Sequence, residues 1–194
     1  MCANRLLVQD GVYDAFAAKL KVAVDELKLG DGFDDDVTIG PLIDAEAAQT
    51  VFAMIDDAQT QGAQVTTGGA AGAGGANFVQ PTILTEVTPN MRVFREEIFG
   101  PVAPLVRFSA EDEAIRLANQ TEFGLAAYFY ARDMGRIWRV SEGLEYGIVG
   151  VNEGLVSNEM APFGGMKESG SGREGSKYGM DEYLEMKYLC MGGI

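Results

Sequence analysis

The chain has 194 residues, 47% of them hydrophobic, which is enough to bury the core of one domain. Its formal net charge of −14, from 29 acidic and 15 basic residues, argues against partners such as nucleic acid or an anionic membrane surface. The sequence contains no histidine, so it excludes a Ser-His-Asp triad, a Cys-His pair and any histidine-based metal site within it, and no metal site is expected.

The first half of the chain alternates strand and helix patterns. Residues 5–9 predict a short strand, and apolar residues every three or four positions predict a helix from Val12 to Gly30. After a loop rich in Asp and Gly, Asp44 is placed to open a second helix, and Gly62 lies beyond its end. These elements form a strand-then-helix unit with a further helix after it.

A strand over residues 64–67 precedes an unusual stretch. Residues 68–76 are only Gly and Ala, which bury too little surface to be ordered by packing. We interpret this stretch as a mobile surface loop rather than a phosphate-binding loop.

The second half repeats the alternation of strands and helices. Its predicted elements are a strand over 102–108, a helix after a capping box at 109–112, a strand over 125–131, a helix opened by Asp133 and a strand over 147–152. Strands that alternate with helices predict an α/β fold with a largely parallel sheet and flanking helices. The tail over 183–191 alternates partly as a strand does, and we expect it to pair with another subunit.

Residues 170–175 match the G-x-G-x-x-G pattern of a dinucleotide-binding loop letter by letter. Such a loop needs a strand before it, a helix after it and an acidic residue about 20 positions on, to bind the ribose. The preceding Pro162-Phe163-Gly164-Gly165 predicts a turn, and no acidic residue stands at the required distance before the sequence stops at Ile194. We therefore expect these glycines to serve some purpose other than pyrophosphate binding.

Four motifs resemble the C-terminal third of an aldehyde dehydrogenase. They are REEIFGPV (95–102), NQTEFGLAAYFY (119–130), GIVGVNEG (147–154) and PFGGMKESGSGREGSKYG (162–179). The stretches VNEGLVSNEMAPFGG and GMDEYLEMKYLCMGG resemble the succinate-semialdehyde dehydrogenases in particular. The resemblance implies a partial catalytic domain over 1–175 and a C-terminal helix and strand tail over 176–194 that joins subunits into a homo-oligomer.

The resemblance also assigns four site residues. Glu97 matches the glutamate that accepts hydrogen bonds from the nicotinamide ribose hydroxyls, and Phe99 matches the aromatic residue beside the nicotinamide. Ser157 matches a hydroxyl that binds the far carboxylate of succinate semialdehyde, and Phe163 borders the substrate tunnel. Each of the four residues also has an alternative interpretation without a site. Glu97 would be a solvated charge, Phe99 a core residue, Ser157 an ordinary loop serine and Phe163 part of a tight connection.

The family mechanism uses a cysteine thiolate, a hydride acceptor and a water activated by a glutamate. In the family pattern Gly-Gln-Thr-Cys-x-Cys-Ala-Asn-Arg, Met1 takes the position between the cysteines, and Cys2 matches the second one. The nucleophile is then expected just upstream of Met1, and the general base and most of the NAD or NADP site lie upstream as well. We expect a fragment that lacks its own catalytic residues and is inactive alone.

Two classes of function remain open. The first is a part of an NAD(P)-dependent enzyme that oxidises a short aldehyde with a carboxylate at its far end. The alternative is a noncatalytic module, derived from that enzyme, that associates with itself or with a full-length relative. Two cysteines and no recognisable secretory or membrane segment favour a reducing, cytoplasmic setting for either class.

Overall fold

The structure is a computed structural model that describes residues 3–193, so the predictions made for Met1 and Cys2 lie outside the described residues. The backbone forms two compact units, Met1–Ala114 and Ile115–Ile194. The two units are defined by contacts within the backbone and do not test the predicted domains. The predicted domain limits of 1–175 and 176–194 therefore stay a prediction. Each unit is α/β, which confirms the predicted fold class.

The first unit is built on a four-stranded sheet. Its helices and strands are β1 (Leu6–Gln9), α1 (Tyr13–Asp25), α2 (Ala45–Thr60), β2 (Gln64–Thr67), β3 (Thr82–Thr85), α3 (Arg92–Arg95), β4 (Val102–Phe108) and α4 (Glu111–Asn119), the last of which crosses into the second unit. The strand order is β1-β4-β3-β2. Strand β4 pairs in parallel with β1 and β3, while β2 is an antiparallel edge strand.

The core of this unit forms around the two central strands. All four residues of β3 are buried, a burial typical of a strand in the middle of a covered parallel sheet. Tyr13 is 1% exposed, and its hydroxyl donates to the Leu105 carbonyl at 3.2 Å while it accepts from the Glu86 N–H at 3.0 Å. The Arg107 guanidinium lies 3.6 Å from the centre of the Tyr13 ring, a cation–π contact that covers the ring from outside.

Helix α2 confirms the strongest local prediction. The Asp44 carboxylate accepts the Ala47 N–H at 2.8 Å, which satisfies one of the free donors at the helix start. Ala48, Val51 and Ile55 are buried as predicted, and Gly62 follows the helix with a φ of +104°. A side chain at that φ is strained, so glycine suits this helix end.

Two local predictions need correction, and a third is only partly tested. Helix α1 runs from Tyr13 to Asp25 and so ends before the predicted limit at Gly30, and Val12, which is 55% exposed, belongs to a 3-10 helix, Asp10–Val12, that precedes it. The side chain that pairs with Ser109 at the start of α4 is Glu113, four residues on, and not Asp112. The Gly/Ala stretch is mostly exposed, as predicted for a surface loop, and its Gly72 N–H donates to the Phe78 carbonyl at 2.8 Å, while its mobility stays a prediction.

The second unit contains shorter elements. They are β5 (Phe123–Gly124), β6 (Ala126–Phe129), α5 (Met134–Gly143), β7 (Ile148–Val151), β8 (Met166–Lys167) and a 3-10 helix, Tyr178–Tyr183. Strands β6 and β7 pair in parallel, and β5 and β8 pair antiparallel. Asp133 caps α5 by accepting the Arg136 N–H at 2.7 Å, as its position before the helix predicted.

The tail over 184–193 carries no strand within the described residues, contrary to the strand pattern read from the sequence. A strand is defined by its hydrogen-bonded neighbour, and residues 3–193 supply none for the tail. Its large apolar side chains are exposed, among them Leu184 at 64%, Met186 at 103% and Tyr188 at 88%. Pairing of the tail with another subunit therefore stays a prediction.

Within residues 3–193, no helix combines the length and the apolar character needed to cross a membrane.

Candidate functional site

Between α3 and β4, one buried residue lies between the exposed side chains of Glu97 and Phe99. Ile98 is 4% exposed, whereas Glu97 is exposed and Phe99 is 81% exposed. Burying one isoleucine contributes about 1.5–3 kcal/mol, which holds this short stretch against the first unit. We call Glu97–Phe99 the coenzyme segment, after the role that the sequence predicts for it.

Phe99 has an unusual backbone as well as an unusual exposure. Its φ is +48°, in the left-handed region that non-glycine residues rarely adopt. Such a conformation costs about 1–3 kcal/mol and persists where neighbouring contacts fix it, often at functional sites. On one side Ile98 is buried, and on the other Gly100 packs so closely that an added Cβ would lie 2.7 Å from Val51 Cγ2. A large bare ring on a strained backbone is not explained by packing in the core.

The carboxylates around the coenzyme segment differ in their partners. Arg92 binds Glu96 with two hydrogen bonds, from Nε to Oε1 at 2.8 Å and from Nη2 to Oε2 at 2.9 Å. These bonds are the largest cause of the lowered pKa of Glu96. Within residues 3–114, the Glu97 carboxylate has no hydrogen-bond or ion-pair partner. Glu97 is therefore the acidic group of this segment that remains available to a ligand.

Asn4, near the start of the chain, binds the backbone of the same segment with its side-chain amide. Its Nδ2 donates to the Glu96 carbonyl at 2.9 Å, and its Oδ1 accepts the Ile98 N–H at 2.8 Å. Sequence reasoning missed this residue, because contacts over more than 90 positions leave no trace in local spacing. Beside it, the Arg5 guanidinium lies 5.0 Å from the centre of the Phe94 ring in α3.

In the second unit, Ser157 lies in the loop that follows β7. Val156 is partly buried and packs over Gly150, whose added Cβ would lie 2.7 Å from Val156 Cγ1. The Glu153 carboxylate accepts N–H groups from Leu155 at 3.0 Å and Gly154 at 2.8 Å, and these two bonds lower the pKa of Glu153. Ser157 follows as an exposed residue, and within 115–193 its hydroxyl has no hydrogen-bond partner.

Phe163 is half-buried six positions further on, where the Pro-Phe-Gly-Gly turn meets the glycine-rich stretch. Its N–H donates to the Glu174 carbonyl at 2.9 Å, and the Glu174 N–H donates back to the Phe163 carbonyl at 2.8 Å. The neighbouring Arg173 donates from Nη1 to the carbonyls of Gly165 at 2.8 Å and Gly172 at 2.6 Å, so its side chain links the turn to the glycine-rich stretch. Arg173 is a second residue that sequence reasoning missed.

The glycines of this stretch allow close approach of backbone to backbone. A Cβ on Gly164 would lie 2.5 Å from the Gly172 carbonyl oxygen, and a Cβ on Gly165 would lie 2.9 Å from the Ser169 carbonyl oxygen. The 170–175 run is followed by a 3-10 helix rather than an α-helix, and β8 before it has two residues. The context of a dinucleotide-binding loop is absent here, as the sequence analysis expected.

The predicted residues fall on two stretches of the chain. Glu97 and Phe99 lie on one segment of the first unit, and Ser157 and Phe163 lie six positions apart between β7 and β8 in the second. The Ser157 loop is held by Val156 and Glu153, whereas the Phe163 turn is held by hydrogen bonds with Glu174. The nucleophile predicted upstream of Met1 is outside the described residues.

Comparison with known proteins identifies a family and similar sequences for this chain. The sequence profile of the aldehyde dehydrogenase family matches residues 1–189. The chain is 62% identical over 192 residues to the succinate-semialdehyde dehydrogenase [NADP(+)] GabD of Escherichia coli, covering 99% of this chain and 40% of that protein. It is 60% identical over 194 residues to the glutarate-semialdehyde dehydrogenase of Pseudomonas aeruginosa, covering 100% of this chain and 40% of that protein.

A solved structure agrees with these sequence matches. The crystal structure of succinate-semialdehyde dehydrogenase from Burkholderia pseudomallei superimposes with a TM-score of 0.95 at 58% identity, covering 98% of this chain and 39% of that one. The chain therefore spans about 40% of the length of the curated relatives that it matches.

Close packing under the Pro-Phe-Gly-Gly turn leads to a prediction for Gly147. A Cβ there would lie 1.9 Å from the Gly164 carbonyl oxygen, so Gly147→Ala is expected to push the turn away and cost about 1–3 kcal/mol. Hydrogen exchange of the Phe163 and Glu174 amides should then speed up about five- to a hundredfold. Gly154→Ala is the control, because nothing lies within 4 Å of its added Cβ. Equal exchange rates in both variants would contradict the packing argument.

Proposed function

Because the chain belongs to the aldehyde dehydrogenase family, we propose that it is part of an NAD(P)-dependent enzyme for short aldehydes with a carboxylate at the far end, succinate semialdehyde foremost. The reaction converts the aldehyde, water and NAD(P)+ into the carboxylate, NAD(P)H and protons. The observation that carries the proposal is the coenzyme segment, where an exposed aromatic ring lies two residues from a carboxylate that has no partner among the described residues of the first unit.

In this proposal Glu97 and Phe99 hold the nicotinamide end of the coenzyme. A carboxylate accepts hydrogen bonds only, so it suits the two neighbouring hydroxyls of a ribose. The Phe99 ring supplies an apolar face against which a nicotinamide packs, and its fixed backbone limits where that face points. When bound, the coenzyme supplies the hydride acceptor of the reaction. The residues present fit the group, since both side chains are exposed and the Glu97 carboxylate has no hydrogen-bond or ion-pair partner within residues 3–114.

Ser157 and Phe163 are assigned to the substrate. The Ser157 hydroxyl donates a hydrogen bond to the far carboxylate of the aldehyde, and the half-buried Phe163 ring borders its apolar carbons. Support comes from the loop itself: Val156 and the Glu153 carboxylate fix the backbone on the N-terminal side of Ser157 and leave its hydroxyl exposed.

The proposal names a class of aldehyde and leaves its length open. Two relatives act, by name, on succinate semialdehyde and glutarate semialdehyde, which differ by one methylene. One methylene in an apolar pocket changes kcat/KM by about 10- to 200-fold. The choice between NAD and NADP is likewise left open.

Self-association through the tail belongs to the same proposal. The exposed apolar residues over 184–191 are the surface that a strand from another subunit, or another part of the full enzyme, covers. The noncatalytic alternative uses this surface as well, so the tail does not separate the two functions; turnover by the full-length enzyme does. A reducing, cytoplasmic setting is proposed from the content of two cysteines.

A polypeptide of residues 1–194 alone is expected to oxidise no aldehyde. The resemblance places the attacking thiolate outside this sequence, and Cys2 has no histidine in the chain to take its proton. The test is NAD(P)H formation from succinate semialdehyde with each coenzyme, alongside the size of the polypeptide in solution. Turnover above a blank without protein, abolished by Cys2→Ser, would contradict the expectation.

Ser157 and Glu97 should fail in different assays on the full-length enzyme. That enzyme is the natural protein carrying this chain, or a chimera in which the chain replaces the matching 40% of the Escherichia coli relative. Ser157→Ala removes one hydrogen bond to a carboxylate, about 1.5–3 kcal/mol, and should lower kcat/KM for succinate semialdehyde about ten- to a hundredfold. An aldehyde of similar length without the carboxylate is the control, and its oxidation should hardly change.

Glu97→Gln keeps the shape of the side chain but weakens its acceptance of ribose hydroxyls, so both aldehydes should lose rate equally. Both variants are measured with two aldehydes at two coenzyme concentrations. Equal losses for both aldehydes in Ser157→Ala would return Ser157 to an ordinary loop serine. A loss confined to one aldehyde in Glu97→Gln would contradict its assignment to the coenzyme.

A further inference from the structure

We propose that Asn4 is a positioning residue that fixes the coenzyme segment, an inference that rests on the proposed function of Glu97 and Phe99. Its amide grips the backbone on both sides of Glu97: Nδ2 donates to the Glu96 carbonyl at 2.9 Å, and Oδ1 accepts the Ile98 N–H at 2.8 Å. One planar amide therefore holds the two peptide groups that flank Glu97.

These two hydrogen bonds of Asn4 set the directions of the exposed Glu97 and Phe99 side chains. With the peptide planes on either side of Glu97 fixed, its φ and ψ are fixed, and so is the direction in which the carboxylate leaves the backbone. The Ile98 N–H also lies one residue before Phe99, whose φ of +48° depends on contacts around it. Without Asn4, this end of the strained residue keeps the buried Ile98 side chain but loses the hydrogen bond that holds the Ile98 N–H.

Asn4 is suited to this role because it stands at the start of a rigid element. Two residues later β1 begins, and Leu6 pairs in parallel with Leu105 of β4 in the middle of the sheet. Arg5, between them, stacks on the Phe94 ring of α3 at 5.0 Å, and Phe94 is 2% exposed. A binding group on a packed element is held more accurately than one on a loop alone. Asn4 thus links the central sheet to the coenzyme segment.

The chain offers a closely matched control in Asn119. Its Nδ2 donates to the Gly143 carbonyl at 2.7 Å, and its Oδ1 accepts the Glu145 N–H at 2.9 Å, again gripping a carbonyl and an N–H two residues apart. Both asparagines are partly buried. Replacing either asparagine by alanine removes two hydrogen bonds of the same kind. A difference in function between the variants then reflects the segment that each asparagine binds, residues 96–98 or residues 143–145.

The experiment compares Asn4→Ala with Asn119→Ala in the full-length enzyme described above. Asn4→Ala should lower kcat about ten- to a hundredfold at saturating coenzyme, because a small misplacement of binding groups slows the chemical step. A primary deuterium isotope effect on kcat, measured with the aldehyde deuterated at its carbonyl carbon, should become larger. Asn119→Ala should show a comparable fall in Tm with little change in kcat or in the isotope effect. Asn4→Asp keeps the acceptor for Ile98 and should show smaller changes of the same kind, which covers the case that Asn4→Ala does not fold.

A second readout needs no turnover. With 4-fluorophenylalanine in place of Phe99, the fluorine NMR signal of the coenzyme-free enzyme should shift or broaden in Asn4→Ala and Asn4→Asp and stay unchanged in Asn119→Ala. An unchanged signal and isotope effect in both Asn4 variants would overturn the inference. An unsubstituted enzyme that oxidises neither semialdehyde would overturn the proposed function instead, while the fluorine signal would still decide the role of Asn4.

Discussion

Strand β4 pairs in parallel with β1 on one side and β3 on the other, and the first unit is organised by that pairing. The parallel register sets Leu6, the first residue of β1, beside Leu105 in the middle of β4, 99 positions later in the chain. Asn4 precedes β1 and the coenzyme segment precedes β4, so the parallel pairing places both at the same end of the sheet. The Tyr13 hydroxyl reinforces the same strands, since it binds the Leu105 carbonyl from the helix after β1.

The two pairs of site residues follow one physical scheme. In each, a buried or partly buried aliphatic residue immediately precedes an exposed residue with a proposed role: Ile98 before Phe99, and Val156 before Ser157. In each, hydrogen bonds to a neighbouring backbone hold the loop, from Asn4 in the first unit and from Glu153 in the second. Anchors of this kind let short loops carry polar groups outward without the order that a long helix or strand provides. The glycines around Phe163 add close approach of backbone to backbone, which a side chain would block.

Local chemistry explains which parts were predictable from the sequence. Helix α2 was predictable, because an Asp cap, a regular apolar face and a terminal glycine all indicate a helix with the same limits. Strand β3 was missed, because Thr82–Thr85 is short, lies just after Pro81 and has no alternation when all four residues are buried. Glu97 and Phe99 were assigned to the site through a resemblance, which stays a prediction, and no local pattern could have given the positive φ of Phe99 or the contact between Asn4 and residues more than 90 positions away. The tail pattern predicted a strand whose partner lies on no described part of this chain.

The central claim is that the coenzyme segment receives the nicotinamide ribose. The most direct measurement is a crystal structure of the full-length enzyme with NAD or NADP bound. The account predicts that both ribose hydroxyl oxygens lie within hydrogen-bond distance of the Glu97 carboxylate, about 2.5–3.0 Å. It also predicts that the Phe99 ring, 81% exposed here, is covered by the coenzyme. A bound nicotinamide ribose with Glu97 still directed to solvent and Phe99 still bare would contradict it.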